Sequence, residues 1–433
     1  LEYWDPIIER MPEEELLELQ TRKLKHVLNY VTEYSNFYRK KFAEAGVDSK
    51  DVRSLNDLSK LPFTTKKDFR DNYPTGMFCV PPSQIIRYHA SSGTTGKRTI
   101  VGYTRGDVFE WATSIARGLT SLGIGRSDVI QNSYGYGLFT GGLGIHYGAE
   151  MVGATTLPTG AGGTERQIEL MQDLGSTVIA CTPSYFLHIA EVAKSLNVDF
   201  KRDTKLRAGL FGAEFWSENM RKRIEDTTGV RAYDIYGTSE LNGPLFMECI
   251  YQNGIHAWAD QYIMEVINPD TGEVLGEGEE GELVVTTLAK EALPLIRYRT
   301  GDITHLNFEK CKCGRTHPRI MRIQGRADDM LKIRGVNVFP SQVESVLMKM
   351  PELGDNYVLI VDREHELDKL TVRVEVSDRI PKKSGDYLEE LNRKVSRQLK
   401  NILNLTVDVE LVEQGSIPRS EGKAKRVIDK RKM

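Results

Sequence analysis

The run Ser91-Ser92-Gly93-Thr94-Thr95-Gly96-Lys97 combines small hydroxyl residues, glycines and a lysine. Glycines let a backbone approach a ligand closely, amides and hydroxyls donate hydrogen bonds, and Lys97 adds charge, so the segment suits the oxygens of a polyphosphate. It is not a Walker A loop. Only two residues separate Gly93 from Gly96, and Arg98 stands where that loop carries its magnesium-binding hydroxyl. Because Gly/Ser/Thr clusters also make ordinary turns, the neighbouring motifs must decide. A second group is Cys311 and Cys313, followed by Gly314 and His317, with Cys249 and His256 upstream. Three cysteines and one histidine are a common closed set for structural zinc. His256 and His317 both qualify as the fourth ligand, and the alternative is two separate reduced cysteines. A third is the basic stretch from Lys423 to Lys432, opened by Ile417-Pro418-Arg419-Ser420. It offers either a mobile point charge or a patch for nucleic acid.

Composition narrows the class. The chain has 433 residues, enough for two or three domains with a large core. Its formal net charge of −3 provides no global field for nucleic acid or an anionic membrane. No apolar run approaches the roughly 18–20 residues of a membrane span. The opening Leu1-Glu2-Tyr3-Trp4-Asp5 lacks a signal peptide's basic and apolar regions. Five cysteines in so long a chain do not form a disulfide framework. A soluble cytoplasmic protein, binding neither nucleic acid nor membrane, is expected.

The elements that must position these groups follow from periodicity. Leu16, Leu17, Leu24, Val27, Leu28 and Val31 predict one long helix or two over 12–44, ended by Gly46. Leu61 to Asp68 reads as a turn into a charged helix. Val108, Trp111, Ile115 and Leu119 mark another helix, before the glycine-rich aromatic segment Tyr134-Gly135-Tyr136-Gly137-Leu138-Phe139. Thr164 and Gln167 form a capping-box pattern for a helix ending at Gly175, and Val178 to Ala180 is a strand. Thr182-Pro183-Ser184 caps a helix running to about Leu196. A strand ends at Leu210-Phe211-Gly212-Ala213-Glu214, a helix runs from Ser217 to Gly229, and Tyr233 to Tyr236 is a strand. This β–α–β order predicts a largely parallel, helix-covered sheet, which binds ligands beyond the C-terminal strand ends. Short strands between 255 and 325 predict a small antiparallel sheet or barrel. Beyond Asp328 a compact α+β unit is expected. It has a helix over 338–348 with Ser341 and Glu344 as capping box, strands at 357–361 and 370–376, a helix over 386–402 and a strand at 407–412.

Four further motifs lie along the chain: Tyr233-Asp234-Ile235-Tyr236-Gly237-Thr238-Ser239-Glu240, Tyr298-Arg299-Thr300-Gly301-Asp302, the segment Gly325 to Gly335, and Gly422-Lys423. With Ser91–Lys97 they fall in the order seen in acyl-adenylate-forming enzymes. The opening Tyr3-Trp4-Asp5-Pro6, Leu61 to Asp68, Tyr134 to Phe139 and Pro418 to Lys425 resemble the phenylacetate–coenzyme A ligase family within that superfamily. The resemblance implies an N-terminal adenylation domain over 1–327 and a mobile C-terminal α+β domain over 328–433. It also implies a two-step reaction, in which an aryl acid and ATP give acyl-AMP and pyrophosphate, and coenzyme A then displaces AMP.

The same resemblance assigns roles. Ser91 to Lys97 would hold the ATP phosphates, Glu240 magnesium and Tyr236 a face of adenine. Gly212, Ala213 and Glu214 would line the adenine edge, Asp234, Ile235, Gly237 and Thr238 the nucleotide cleft, and Asp302 the ribose hydroxyls, with Arg326 nearby. Lys423 is the expected catalytic lysine, Lys425 the near alternative, and Asp328 the hinge. Tyr136, Phe139, Gly141, Ala213 and Pro244 would form the acid pocket, where aromatic walls suit a flat aryl group; the alternative makes Tyr136 and Phe139 ordinary core aromatics. Family members often form homodimers. Transfer to a carrier protein or an amine, and a non-catalytic acyl-adenylate-binding role, are the competing functions.

Overall fold

The computed structural model describes residues 2–91, 98–327, 330–334, 336–364, 367–377 and 385–432. Ser92, Gly93, Thr94, Thr95, Gly96 and Lys97 of the hydroxyl-rich loop, and the expected hinge Asp328, lie outside them. The chain divides into two compact units. One comprises residues 1–160, 178–180 and 233–323; the other comprises 161–177, 181–232 and 324–433.

In the first unit the N-terminal helical stretch is two helices, Glu13–Tyr34 and Asn36–Glu44. Ser35 divides them because its side chain accepts from the Tyr38 amide and caps the second. Leu16, Leu24, Val27, Leu28 and Val31 are buried as their spacing predicts, but Leu17 faces outward. Strand Val129–Asn132 pairs in parallel with Thr155–Leu157 and with Val178–Cys181. Beyond strand Arg231–Thr238 the pairing changes to antiparallel. Arg231–Thr238, Gly243–Glu248, Ile255–His256, Arg319–Ile320 and Leu306–Asn307 pair antiparallel in succession. The turn Ser239–Leu241 sends the chain straight back, leaving no room for a crossover helix. Tyr262–Ile267, Gly281–Thr287 and Tyr298–Thr304 form the antiparallel sheet expected over this region.

Two helices carry the glycine-rich segment. Arg105–Ser121 is capped reciprocally by Thr104 and Asp107, and Gly141–Met151 packs closely against it. The approach depends on missing side chains. A Cβ at Gly148 would lie 2.1 Å from Ile115 Cγ2, and one at Gly144 2.5 Å from the Trp111 ring.

The second unit holds helices Thr164–Asp173, Pro183–Ser195 and Glu218–Thr228 with strand Ala208–Phe211. Its C-terminal part has a four-stranded sheet in the order Asp408–Val412, Leu367–Val376, Leu353–Glu364, Val427–Asp429. Alternating Leu370, Val372, Val374 and Val376 are all buried. Helix Gly385–Leu403 buries Leu391, Val395, Leu399 and Leu403, one stripe at a spacing of four. Two capping expectations are corrected. Thr164 is already the first helical residue after Gly163, whose φ of +63° supplies the left-handed entry, and the Gln167 side chain donates to Gly162 O instead. Ser341 and Glu344 do not cap Pro340–Met348. Gln342 accepts from the Phe339 amide there, while Glu344 is buried and accepts from Ser217 N at 2.8 Å and Tyr357 Oη at 3.1 Å.

Gly148→Ala should lower the unfolding free energy by about 1–3 kcal/mol, the cost of overpacking a closed helix pair. Urea denaturation followed by circular dichroism measures it; an unchanged midpoint would mean that the two helices separate freely.

Candidate active site and cysteine–histidine cluster

Strand Arg231–Thr238 and the turn after it set out the nucleotide motif in the first unit. Tyr236 donates its hydroxyl to Asp302 Oδ2 at 2.6 Å, across 66 positions of sequence. Its ring stacks on Phe246 at 6.4 Å between centroids and 16° between planes. Asp302 is buried, and its amide donates to Thr300 Oγ1. Asp234 N donates to Glu248, and the Asp234 carboxylate lies 3.9 Å from Arg322. Ile235 is buried and Gly237 half-buried beside them. A side chain at Gly237 would meet Gly243 O, so only glycine lets the two strand ends close.

The Glu240 side chain is buried on the turn, and the buried Thr238 Oγ1 has no hydrogen-bond partner. A carboxylate and an orphaned hydroxyl two positions apart are oxygen donors of the kind a hard divalent cation accepts. Lys290, unremarked in the sequence, supports this turn from beneath. It is buried, donates to Glu240 O at 2.8 Å, and has its pKa pushed down to about 8 by burial, against the pull of Asp107 and Glu240. No local pattern marks it, because its partner is a backbone carbonyl 50 positions away.

Tyr136 and Phe139 are not core aromatics: they are 36% and 45% exposed. The Tyr136 hydroxyl accepts from Asn132 Nδ2 at 2.8 Å, and the same nitrogen donates to Gly142 O. Gly141 is bare because a Cβ there would lie 2.6 Å from the Phe139 ring. Pro244 O accepts from Trp111 Nε1 at 2.8 Å, and Thr140 packs against Gly243, which brings the 139–141 and 243–244 segments together.

The second unit holds the remaining residues. Gly212, Ala213 and Glu214 follow strand Ala208–Phe211, and Ala213 has a φ of +68°. Arg326 is half-buried on the short strand Gly325–Arg326, and Ser91, in the first unit, is half-buried. Lys423 and Lys425 are both exposed. They differ in what holds their backbone. Lys423 lies between Gly422, whose carbonyl accepts from Thr182 Oγ1 at 3.1 Å, and Ala424, whose amide donates to Glu214 Oε2 at 3.1 Å. Lys425 precedes Arg426, which leaves the loop to place its guanidinium over the Tyr357 ring.

Cys249, His256, Cys311 and Cys313 converge in the first unit, all buried, with their ligand atoms within 4.8 Å of one another. Cys249 Sγ is 3.7 Å from Cys311 Sγ, and Cys313 Sγ is 3.4 Å from His256 Nε2. Hydrogen bonds from Cys249 and Cys311 push the Cys313 thiol pKa below its ordinary range. His317 is spent elsewhere. Its Nδ1 accepts from Ala259 N at 2.8 Å and its Nε2 donates to Ile8 O at 2.9 Å, which leaves no lone pair for a metal. The first residues brace the cysteine loop: Tyr3 donates to Cys313 O, and the fully buried Arg315–Glu9 ion pair closes at 2.6 Å.

Comparison with known proteins gives this geometry a lineage. The AMP-binding enzyme family matches residues 39–288, and its C-terminal domain matches 335–431. Phenylacetate–coenzyme A ligase of Thermus thermophilus is 46% identical over 99% of this chain and 100% of its own length. The Escherichia coli protein of that name is 48% identical over 99% and 97%. The chain belongs to the phenylacetate–coenzyme A ligase family. Members are AMP-forming acid–thiol ligases, with the adenylate-forming fold. Crystal structures of 2-hydroxyisobutyryl-CoA ligase share it: the postadenylation complex with R3-HIB-AMP superposes with a TM-score of 0.94 at 31% identity, over 99% of this chain and 93% of that one. Its thioesterification-state complex with 2-HIB-AMP and CoA gives 0.73 at 32% identity, over 99% and 92%.

Burial holds the pKa of His317 down to about 4, against 6.5 in the unfolded chain. Its stabilising contribution is complete above pH 6.5 and is lost as pH falls towards 4, up to about 3 kcal/mol over that window. His317→Gln can keep both hydrogen bonds without titrating. Its melting temperature should therefore fall less than that of the wild type between pH 7 and 5; parallel curves would place the acid sensitivity elsewhere.

Proposed function

We propose that this chain activates phenylacetate or a closely related aryl acid with ATP, forming acyl-AMP and pyrophosphate, and then transfers the acyl group to coenzyme A. The observation that carries the reading is identity of 46–48% over nearly the full length of two relatives bearing that name. In this reading Asp302, which accepts from the Tyr236 hydroxyl at 2.6 Å, would accept from the ribose hydroxyls, Tyr236 would face adenine, and Gly212 and Ala213 would line the adenine edge. Glu240 and Thr238 would hold magnesium, which neutralises phosphate charge when bound. Arg326 and the segment from Ser91 to Lys97 supply donors for the phosphates.

In the first step the acid's carboxylate attacks the α-phosphate, and Lys423 stabilises the charge that develops there. In the second the coenzyme A thiol displaces AMP, after the C-terminal domain over 328–433 turns about Asp328 and withdraws Lys423. Tyr136, Phe139, Gly141, Ala213 and Pro244 form the acid pocket. Cys249, His256, Cys311 and Cys313 hold a zinc ion. With all four buried the site is closed, so its role is structural. The protein works in the cytoplasm, as a homodimer.

Pyrophosphate release over a panel of aryl acids tests the reaction. Phenylacetate should give the highest rate, with thioester appearing only when coenzyme A is present; release without thioester would indicate a different acceptor. Lys423→Ala should cut adenylation at least a hundredfold, while thioester formation from supplied phenylacetyl-AMP falls less than about threefold. Equal loss in both half-reactions would reject a lysine used in one step.

Protein purified without added metal should contain about one zinc per chain. Chelation should lower its melting temperature, and Cys311→Ser with Cys313→Ser should abolish the metal. A metal-free preparation with an unchanged melting temperature would leave only reduced thiols.

A further inference from the structure

Glu214 was expected beside adenine, yet its side chain is engaged elsewhere. Its Oε1 accepts from Ser184 N at 2.7 Å, in the first turn of helix Pro183–Ser195. Its Oε2 accepts from Ala424 N at 3.1 Å. The side chain is sent there by Ala213, whose φ of +68° is uncommon for a residue other than glycine and marks a turn held by its surroundings. Thr182 makes a matching pair of contacts. Its Oγ1 accepts from Tyr185 N and donates to Gly422 O at 3.1 Å. One hydrogen bond therefore falls on each side of Lys423. The Lys423 carbonyl is held from within the loop by Ser420 Oγ at 3.1 Å. Upstream, Arg419 bridges Glu191 at 3.0 Å and Glu375 at 2.7 Å.

We propose that the Glu214 carboxylate is a positioning residue for adenylation: it seats the Lys423 segment, and the adenine-edge turn therefore both receives the nucleotide and docks the lysine. This deepens the functional reading above and rests on it. A carboxylate suits the task because it offers one acceptor to each of two amides at once, one in the helix and one in the loop. An amide side chain can keep only one of them. The bond to Ala424 exists only while the segment is docked, so its loss weakens the adenylating arrangement without touching the arrangement in which coenzyme A reacts.

Glu214→Gln separates this role from simple helix capping, since the amide oxygen can still accept from Ser184 N. Pyrophosphate release with phenylacetate should fall roughly ten- to hundredfold, the worth of one charge-assisted hydrogen bond. Thioester formation from supplied phenylacetyl-AMP should change less than about threefold, and the melting temperature should hold. Amide hydrogen exchange gives a readout free of activity: peptides spanning 420–425 should exchange faster in the variant, while those of helix Pro183–Ser195 stay protected. Equal loss in both half-reactions with a lowered melting temperature would make Glu214 a structural cap and overturn the proposal. Unchanged adenylation, or unchanged exchange at 420–425, would overturn it too. If the wild type releases no pyrophosphate with any aryl acid, the functional reading fails, and faster exchange at 420–425 would then show seating without this catalytic purpose.

Discussion

The structure around Lys423 depends on a constraint of backbone, not of side chain. A lysine is a compact charge on a flexible stem, and it can meet a developing anion reproducibly only if its Cα is fixed. Here the fixing comes from both directions. The carbonyl before it and the amide after it are bonded to Thr182 and Glu214. Immediately downstream, Val427–Asp429 joins the sheet in parallel with Leu353–Glu364, and Leu359 N donates to Arg426 O at 2.8 Å. The segment is thus a short strand end and a tethered loop. Such tethers are individually modest, which suits the domain rotation proposed above.

Other contacts within the second unit follow the same economy. Arg223 donates to the carbonyls of Met348, Met350 and Leu353 and pairs with Asp355, gathering the end of helix Pro340–Met348. Glu344, a buried carboxylate whose pKa burial raises, is shared by Ser217 N and Tyr357 Oη. These are polar contacts made by a handful of side chains. Removing one partner leaves a buried acceptor unmet, so each contact matters more than its net worth implies.

The first unit is built in the opposite manner, for permanence. Buried ion pairs such as Arg117–Asp260 and Arg315–Glu9, and helices closed onto each other through Gly144 and Gly148, bind segments far apart in sequence. The cysteine–histidine cluster belongs with these. It ties the loop at 311–313 to the strand region at 249–256 and is braced by residues 3 to 9. Such a frame suits the nucleotide role proposed for Tyr236 with Asp302, because the two residues come from different strands.

Much of this was legible in residue types and their spacing. Apolar periodicity marked the helices at 13–34 and 385–403 and the alternating strand at 370–376, because burial of one face is a local property of the pattern. The three cysteines and a histidine singled out by residue type do converge, and Tyr236 and Asp302 from the motifs at 233–240 and 298–302 meet in one hydrogen bond. What the sequence could not carry was competition for partners. His256 and His317 are equal on paper, and only packing shows that Ala259 and Ile8 already occupy both nitrogens of the latter. Thr164, Ser341 and Glu344 fit capping rules, but long-range partners or a left-handed glycine took their places. The contacts of Lys290, Thr182 and Glu214 were silent for the same reason: each is made to a backbone group 50 to 240 positions away, and a hydrogen bond to backbone leaves no mark in the identity of its partner.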